Sequence, residues 1–370
     1  MNKISLRRWR WLAASLAACL TAACTSAAAT AGPAMSGSVS ASGSAAAAAT
    51  RSASASGSAP LNCAPPGVKL IPCFSPRAYE VAYGVAPLLS RGIDGHGVTV
   101  VIPALAQVPA SRGGPTDIRR DLATFDRMFG LSPARLQVVN TIARSATPYL
   151  TNDEEIEDTE MVHAIAPGAT LAVVLVPANA TASTADFTAG LTNVVRAAVA
   201  RHAAVISISA SIGEHLVTRA QAARMHAALV QAAQQHVTVV ASSGDNGVIS
   251  DDGPPRQVSL PASDPLALAV GGTILGAASP GGAYHGEMAW NGGTDGSAGG
   301  YSSLYPRPSY QDGVPRSGAT RGVPDVAASA DHASGMALAF SDGSLRSAVG
   351  TSGSTPLWAG VIALADSAAG

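Results

Sequence analysis

The chain has 370 residues, a formal net charge of −1 and 47% hydrophobic residues. That length holds one large domain or two ordinary ones, and the near-zero charge excludes a bulk attraction to nucleic acid. Lysine occurs only at Lys3 and Lys69.

The chain opens on MNKISLRRWR followed by WLAASLAACLTAAC, a basic stretch before a short apolar one. This is the pattern of a secretory signal and is too short for a stable membrane span. LAAC ending at Cys19 resembles a bacterial lipobox, TAAC ending at Cys24 is a weaker version, and cleavage after Ala31 competes with both. Residues 1–31 are read as a signal peptide. The protein is expected to be secreted, or held at a bacterial cell surface by a lipid on Cys19 or Cys24. Residues 32–60 are nearly all Ala, Ser, Gly and Thr. They bury too little apolar surface to offset the entropy of ordering and read as a flexible tether. Cys63 and Cys73 remain, and in an exported chain their ten-residue spacing suits a disulfide.

From Leu61 strands and helices alternate. GVTVVIPAL (97–105) is a continuous apolar run, as in a buried parallel strand. A helix is predicted over 116–130, a strand over 169–177 and a helix over 186–202. A strand over 204–211, a helix over 218–236 and strands over 237–247 and 266–273 follow. This order predicts an α/β fold whose mostly parallel central sheet carries helices on both faces, with functional groups at the carboxyl ends of strands.

Two stretches carry candidate chemistry. GTS at 350–352 precedes an apolar helical segment, so Ser352 lies among unpaired backbone N–H groups, and Gly350 lets a substrate backbone come close. Three residues alone read better as a helix cap. A serine nucleophile needs a base. None of the eight histidines lies in an HGT context, and the first strand ends VIPAL with no acid, so a His–Asp base is unsupported. The other stretch is DEEIEDTEMVHAIAPG, with six carboxyls between Asp153 and Glu160. On a helix Glu154 and Asp158 share a face, and so do Asp153 and Glu157; periodicity does not choose between the pairs. The acids outside the chosen pair are read as solvated, and a metal site lacks a completing His or loop pattern.

FSPRAYEVAYGVAPLLSRGIDGHGVTVVI, DLATFDRMFGL, HAIAPGATL, SISASIGE, ASSGDNG, SLPASDPLALAVGGT, YPRPSYQ, RGVPDVAASAD and VGTSGSTPLWAG occur in this order over residues 74–370. Together they resemble the sedolisin family, the serine-carboxyl peptidases. The resemblance implies a subtilisin-like three-layer fold over 61–370 and an exported endopeptidase acting at acid pH on peptides or proteins, as a monomer. Counting back from Pro167, it places the family's base at Glu154 and its aspartate partner at Asp158. The nucleophile falls on Ser352 and the oxyanion aspartate on Asp245. SISASIGE would wall the cleft through Ser207, Ser209 and Ala210, with Gly244 and Gly350 also binding substrate. The family often has an aromatic where Ala210 stands, so the subsite differs here. Asp325 is read as a loop tie. The resemblance also implies a prodomain before the domain and calcium bound by a segment after the serine helix. Neither is found in 61–370, whose last residues are expected to lie in or just after that helix, with low stability expected in consequence. An inactive binding protein that kept the fold, or a non-functional truncated fragment, is the alternative reading.

Overall fold

The computed structural model describes residues 61–63, 71–105, 117–139, 153–176, 183–248, 258–277, 281–293, 295–314 and 318–370. The signal segment with Cys19 and Cys24, the tether, and the turn at Asp251 and Asp252 lie outside the described residues.

The elements in chain order begin with β1 (Leu61–Cys63) and β2 (Ile71–Cys73), which pair antiparallel and are joined by a Cys63–Cys73 disulfide. Then come α1 (Pro76–Ala82), α2 (Ala86–Ser90), β3 (Thr99–Leu105), α3 (Ile118–Phe129), β4 (Arg135–Val139), α4 (Asp153–Ile165) and β5 (Thr170–Val176). Next are α5 (Thr184–Val199), β6 (Val205–Ile208), β7 (Ile212–Gly213), α6 (Arg219–Gln234), β8 (Thr238–Ser242) and β9 (Ser259–Leu260). The remainder is β10 (Ala267–Ala277), β11 (Tyr284–Ala289), β12 (Gly300–Pro306), β13 (Thr320–Val323), β14 (Val326–Ser329), β15 (Ala337–Ala339), β16 (Leu345–Ser347) and α7 (Thr351–Ala369).

Local chemistry sets the helix bounds. Asp117 caps α3 by accepting from Arg119 N, and Gly130 ends it in the left-handed region. Thr218 and Gln221 form a reciprocal capping box at the start of α6. The helices predicted over 116–130 and 218–236 are found a residue or two inside those bounds, whereas the one predicted over 186–202 starts two residues earlier and ends three residues sooner, at Thr184–Val199.

The main sheet has the order β11-β10-β8-β6-β3-β5-β4, with β14 also on β10. All its pairs are parallel except β10 with β11. One core joins the inner residues of α1, α3, α4 and α7 to one sheet face, through Ile156, Met161, Ile165 and Leu357. A second core packs α5 and α6 on the other face, through Leu191, Val195, Met225 and Leu229. This is the subtilisin-like three-layer α/β fold. Among the described residues no helix is long and apolar enough to cross a membrane.

The chain runs from β3 out to β4, back through β5, and then onward from β6 on the other side of β3. Such a reversal opens a crevice at the carboxyl ends of the strands. Segments after β6 and β8 carry Ser209 and Asp245 into that region, where they meet Asp158 of α4 and Thr351 and Ser352 at the start of α7.

The expectation that the spare acids of α4 are solvated is corrected. Only Asp153 is exposed, paired with Arg346, whereas Glu155, Glu157, Asp158 and Glu160 are buried. The cause is tertiary: α4 packs against α1, α3 and α7, so no face of it beyond the first turn reaches water. Glu160 accepts from Ala339 N at 2.8 Å, and His163 lies buried beside Asp126 at 3.0 Å. Asp325 does tie loops. It takes the buried Arg321 guanidinium at 2.6 Å and accepts from Ala269 N at 2.8 Å.

Candidate active site

Ser352 is the second residue of α7, after Gly350 at the cap and Thr351. It is therefore inside the helix rather than capping it. Gly350 has φ 83°, and a Cβ there would fall 2.5 Å from Asp245 Oδ2, so both conformation and space demand glycine. Pro356 sits one turn further on and has no N–H to give the Ser352 carbonyl. That carbonyl accepts from Ser209 Oγ at 3.3 Å instead.

The Glu154 carboxyl lies within interaction range of the Ser352 hydroxyl. The same hydroxyl lies 3.3 Å from the Ser209 carbonyl, so its single proton has two acceptors in range. Asp158, one helical turn from Glu154, accepts from Ser209 Oγ at 2.6 Å. Asp245 lies in the loop after β8. Its Oδ1 accepts from Thr351 N at 2.8 Å and from Thr351 Oγ1 at 2.7 Å. Gly244, at φ 108°, donates its N–H to Thr351 Oγ1 at 3.1 Å. Thus Glu154, Asp158, Asp245 and Ser352, separated by up to about two hundred residues of chain, converge on the start of α7.

Burial dominates the electrostatics. It pushes the Glu154 carboxyl up to about 7; the Ser352 hydroxyl opposes the rise and the nearby Asp245 charge adds to it. Burial, then the Glu154 charge, holds Asp158 well above the ordinary carboxyl range against the Ser209 hydrogen bond. Glu157 is raised in the same way, by burial and then by Glu154 and Asp158. Neighbouring buried carboxyls cannot all ionise cheaply, so this group titrates as a unit.

A stability prediction follows from the sign of these shifts. Unfolded carboxyls titrate near 4. The folded protein therefore binds more protons than the unfolded chain above that pH, and stability falls as pH rises. The melting temperature should drop most steeply from about pH 4 through the Glu154 titration at about 7. Glu154→Gln, Asp158→Asn and Glu157→Gln should each flatten the drop, as read by thermal melts across pH. A melting temperature that climbs steadily to neutrality would contradict the assigned burial.

Of the expected cleft residues, Ser209 and Ala210 are half-buried beyond the end of β6, and Ala210 packs against the second core. Ser207 is corrected. It has no exposed surface inside β6 and cannot line a cleft. Side chains alternate along a strand, so Ser207 shares a face with Ser209 but lies one step deeper, toward α7. Thr351 and Glu157 were not singled out as site residues. Thr351 is legible only as the middle of GTS, and Glu157 only as half of the rejected pair. Among the described residues no group of three or more His, Cys, Asp or Glu side chains is placed to hold a metal ion.

The sequence profile of the subtilase family matches residues 144–370. The chain belongs to that family, as a member of its sedolisins. It is 35% identical over 294 residues to kumamolisin of Bacillus sp. (strain MN-32), covering 74% of this chain and 49% of that protein. It is 31% identical over 276 residues to sedolisin of Pseudomonas sp. (strain 101), covering 69% and 46%. The solved Pseudomonas sedolisin, a serine-carboxyl proteinase complexed with two molecules of pseudo-iodotyrostatin, superposes with a TM-score of 0.67 at 29% identity, over 81% of this chain and 82% of that one. The chain spans about half the length of the curated relatives it matches.

Proposed function

We propose that this chain hydrolyses peptide bonds in proteins or peptides at acid pH, outside the cytoplasm, with Ser352 as nucleophile and Glu154 as base. The observation that carries this reading is the meeting of Ser352 with Asp158 through Ser209, with Asp245 through Thr351, and with the Glu154 carboxyl, which burial pushes up to about 7. A base with that affinity accepts a proton readily once it is ionised.

Ser352 Oγ attacks the peptide carbonyl carbon and its proton passes to Glu154. Asp158 holds a proton beside Glu154 and is oriented by Ser209. Negative charge developing on the carbonyl oxygen meets Asp245. A carboxylate cannot donate, so Asp245 serves only when protonated. Its Oδ1 is occupied by two donors from Thr351, so the proton resides on Oδ2, the oxygen facing Gly350. The C–N bond then breaks as Glu154 returns its proton to the leaving amine, and water releases the acyl group by the reverse path.

The working form needs Glu154 ionised and Asp245 protonated. The product of those fractions is a bell centred between the two titrations. Raising the pH ionises Glu154 but removes the proton that Asp245 must carry, so turnover is expected to fall on both sides of an acid optimum. Peptide hydrolysis should be measured against pH for the full chain and for Ser352→Ala, with calcium present. Serine-dependent cleavage peaking in acid supports the reading; maximal turnover at neutral pH, or equal rates for both proteins, sinks it.

A further inference from the structure

Glu157 is the carboxyl that the mechanism does not use. It lies one residue before Asp158 on α4, is buried, and points across to the segment that carries Ser352. Its Oε1 accepts from Val349 N at 2.9 Å. A Cβ built on Gly353 would fall 2.6 Å from the same oxygen. Real side chains do not approach so closely, so the Gly353 backbone lies directly against this carboxyl. Val349 and Gly353 flank Gly350, Thr351 and Ser352. One oxygen of Glu157 therefore touches both ends of the five-residue turn that presents the nucleophile.

We infer that Glu157 is a positioning residue: its carboxyl, seated between Val349 N–H and the Gly353 backbone, locks the start of α7 onto α4 and thereby sets the distance from Ser352 to Glu154. The inference rests on the proposed hydrolytic role of Ser352. Apolar packing between α4 and α7 fixes the helix separation but is tolerant of small slides, because dispersion contacts are non-directional. A hydrogen bond to a backbone N–H is directional, and it acts within a residue or two of the reacting oxygen.

The state in which Glu157 acts follows from its surroundings. Charges on Glu154 and Asp158 of its own helix and on Asp245 in the loop after β8 act on it, and it acts in turn on the Tyr79 hydroxyl of α1. All four are acidic groups. Burial and these neighbours favour the proton on Glu157 while Glu154 ionises. A neutral acid still accepts through Oε1, so the lock survives at the pH where the base works. An ionised Glu157 would place a further negative charge against Glu154 and the nascent oxyanion, and is the form the site disfavours.

The test compares the full chain with Glu157→Gln and Glu157→Leu. Gln keeps the acceptor and mimics the neutral acid; Leu fills the volume and leaves Val349 N–H without its partner. Leu should lower kcat by about 10- to 100-fold with KM nearly unchanged, the loss that a misplacement of about 1 Å produces. Gln should restore most of that loss and leave the pH–rate profile in place. A profile moved to lower pH in the Gln variant would show that a charge had been removed, and would overturn the neutral state. Unchanged kcat in the Leu variant, or Gln as poor as Leu, would overturn the positioning role. Thermal melts across pH supply a readout independent of turnover. The Gln variant should lose less stability than the parent as pH rises. Identical melting curves for the two would overturn the buried proton. If the parent shows no Ser352-dependent hydrolysis at all, the proposed function fails, while the melting curves still decide whether Glu157 holds a proton.

Discussion

Ser352→Ala is expected to lower peptide hydrolysis by about 10⁴-fold or more, and Glu154→Gln by a comparable factor. The hydroxyl is the group that forms the acyl bond, and without it only binding and the oxyanion donor remain to accelerate attack by water. Glu154→Gln keeps the shape and the contact with Ser352 but cannot take its proton. The two residues act as one device, so the double variant should be no slower than the poorer single one. Additive losses in the double variant would mean that the pair does not work together and that the base lies elsewhere. Stability separates the two substitutions. Ser352→Ala removes a half-buried hydroxyl, whereas Glu154→Gln removes a carboxyl that burial penalises when charged. At neutral pH the Gln variant should therefore melt higher than the parent although it is inactive. A loss of activity accompanied by a lower melting temperature would point to misfolding instead. A binding protein that had merely kept the fold would be indifferent to both changes.

The largest stability effect is expected at Arg321. It has no exposed surface, and its guanidinium reaches Asp325 at 2.6 Å, the Gly322 carbonyl and the Ala267 carbonyl at 3.4 Å. Asp325 in turn accepts from Ala269 N at 2.8 Å and from Gln311 Nε2 at 3.3 Å. The pair thus ties β13 and the turn into β14 to the start of β10. Arg321→Met preserves much of the volume but leaves the half-buried Asp325 carboxylate without its cation, at a cost of up to about 3–5 kcal/mol. For a domain of this size that is on the order of 10 °C in melting temperature. Replacing both partners, Arg321→Met with Asp325→Leu, should recover a large part of the loss, because no buried charge is then left unpaired. A single Met variant that melts like the parent would show that the carboxylate relaxes to water. β10 pairs with β8, whose end leads to Asp245, so the single variant should also weaken turnover more than its melting curve alone suggests.

Much of the fold was legible along the chain because it rests on local rules. Continuous apolar runs marked the buried parallel strands, and helical spacing marked the helices, whose ends the structure then fixes through caps at Asp117, Gly130 and Thr218. The alternation of strand and helix then implied a parallel sheet covered on both faces. The boundaries that slipped lie where strands give way to functional loops. SISAS read as one strand, yet β6 stops at Ile208 so that Ser209 can leave the ladder and serve Asp158.

The candidate site divides along the same line. GTS before an apolar helix and the acid-rich helix before APG are visible as patterns, and order along the chain was enough for the resemblance that singles out Glu154, Asp158, Asp245 and Ser352. Which carboxyls of DEEIED are dry was not visible. Helical spacing reports which side chains share a face, and it is silent on what packs against each face. In this molecule α4 is enclosed by α1, α3 and α7. That enclosure buries Glu155, Glu157 and Glu160 as well as Asp158, raises the affinity of Glu154 for its proton, and brings Glu157 to the two ends of the serine turn. Sequence order determined the elements and the residue types of the site. Only the packing of distant helices decided the dielectric around them, because desolvation and coulombic coupling depend on neighbours in space rather than on neighbours in the chain.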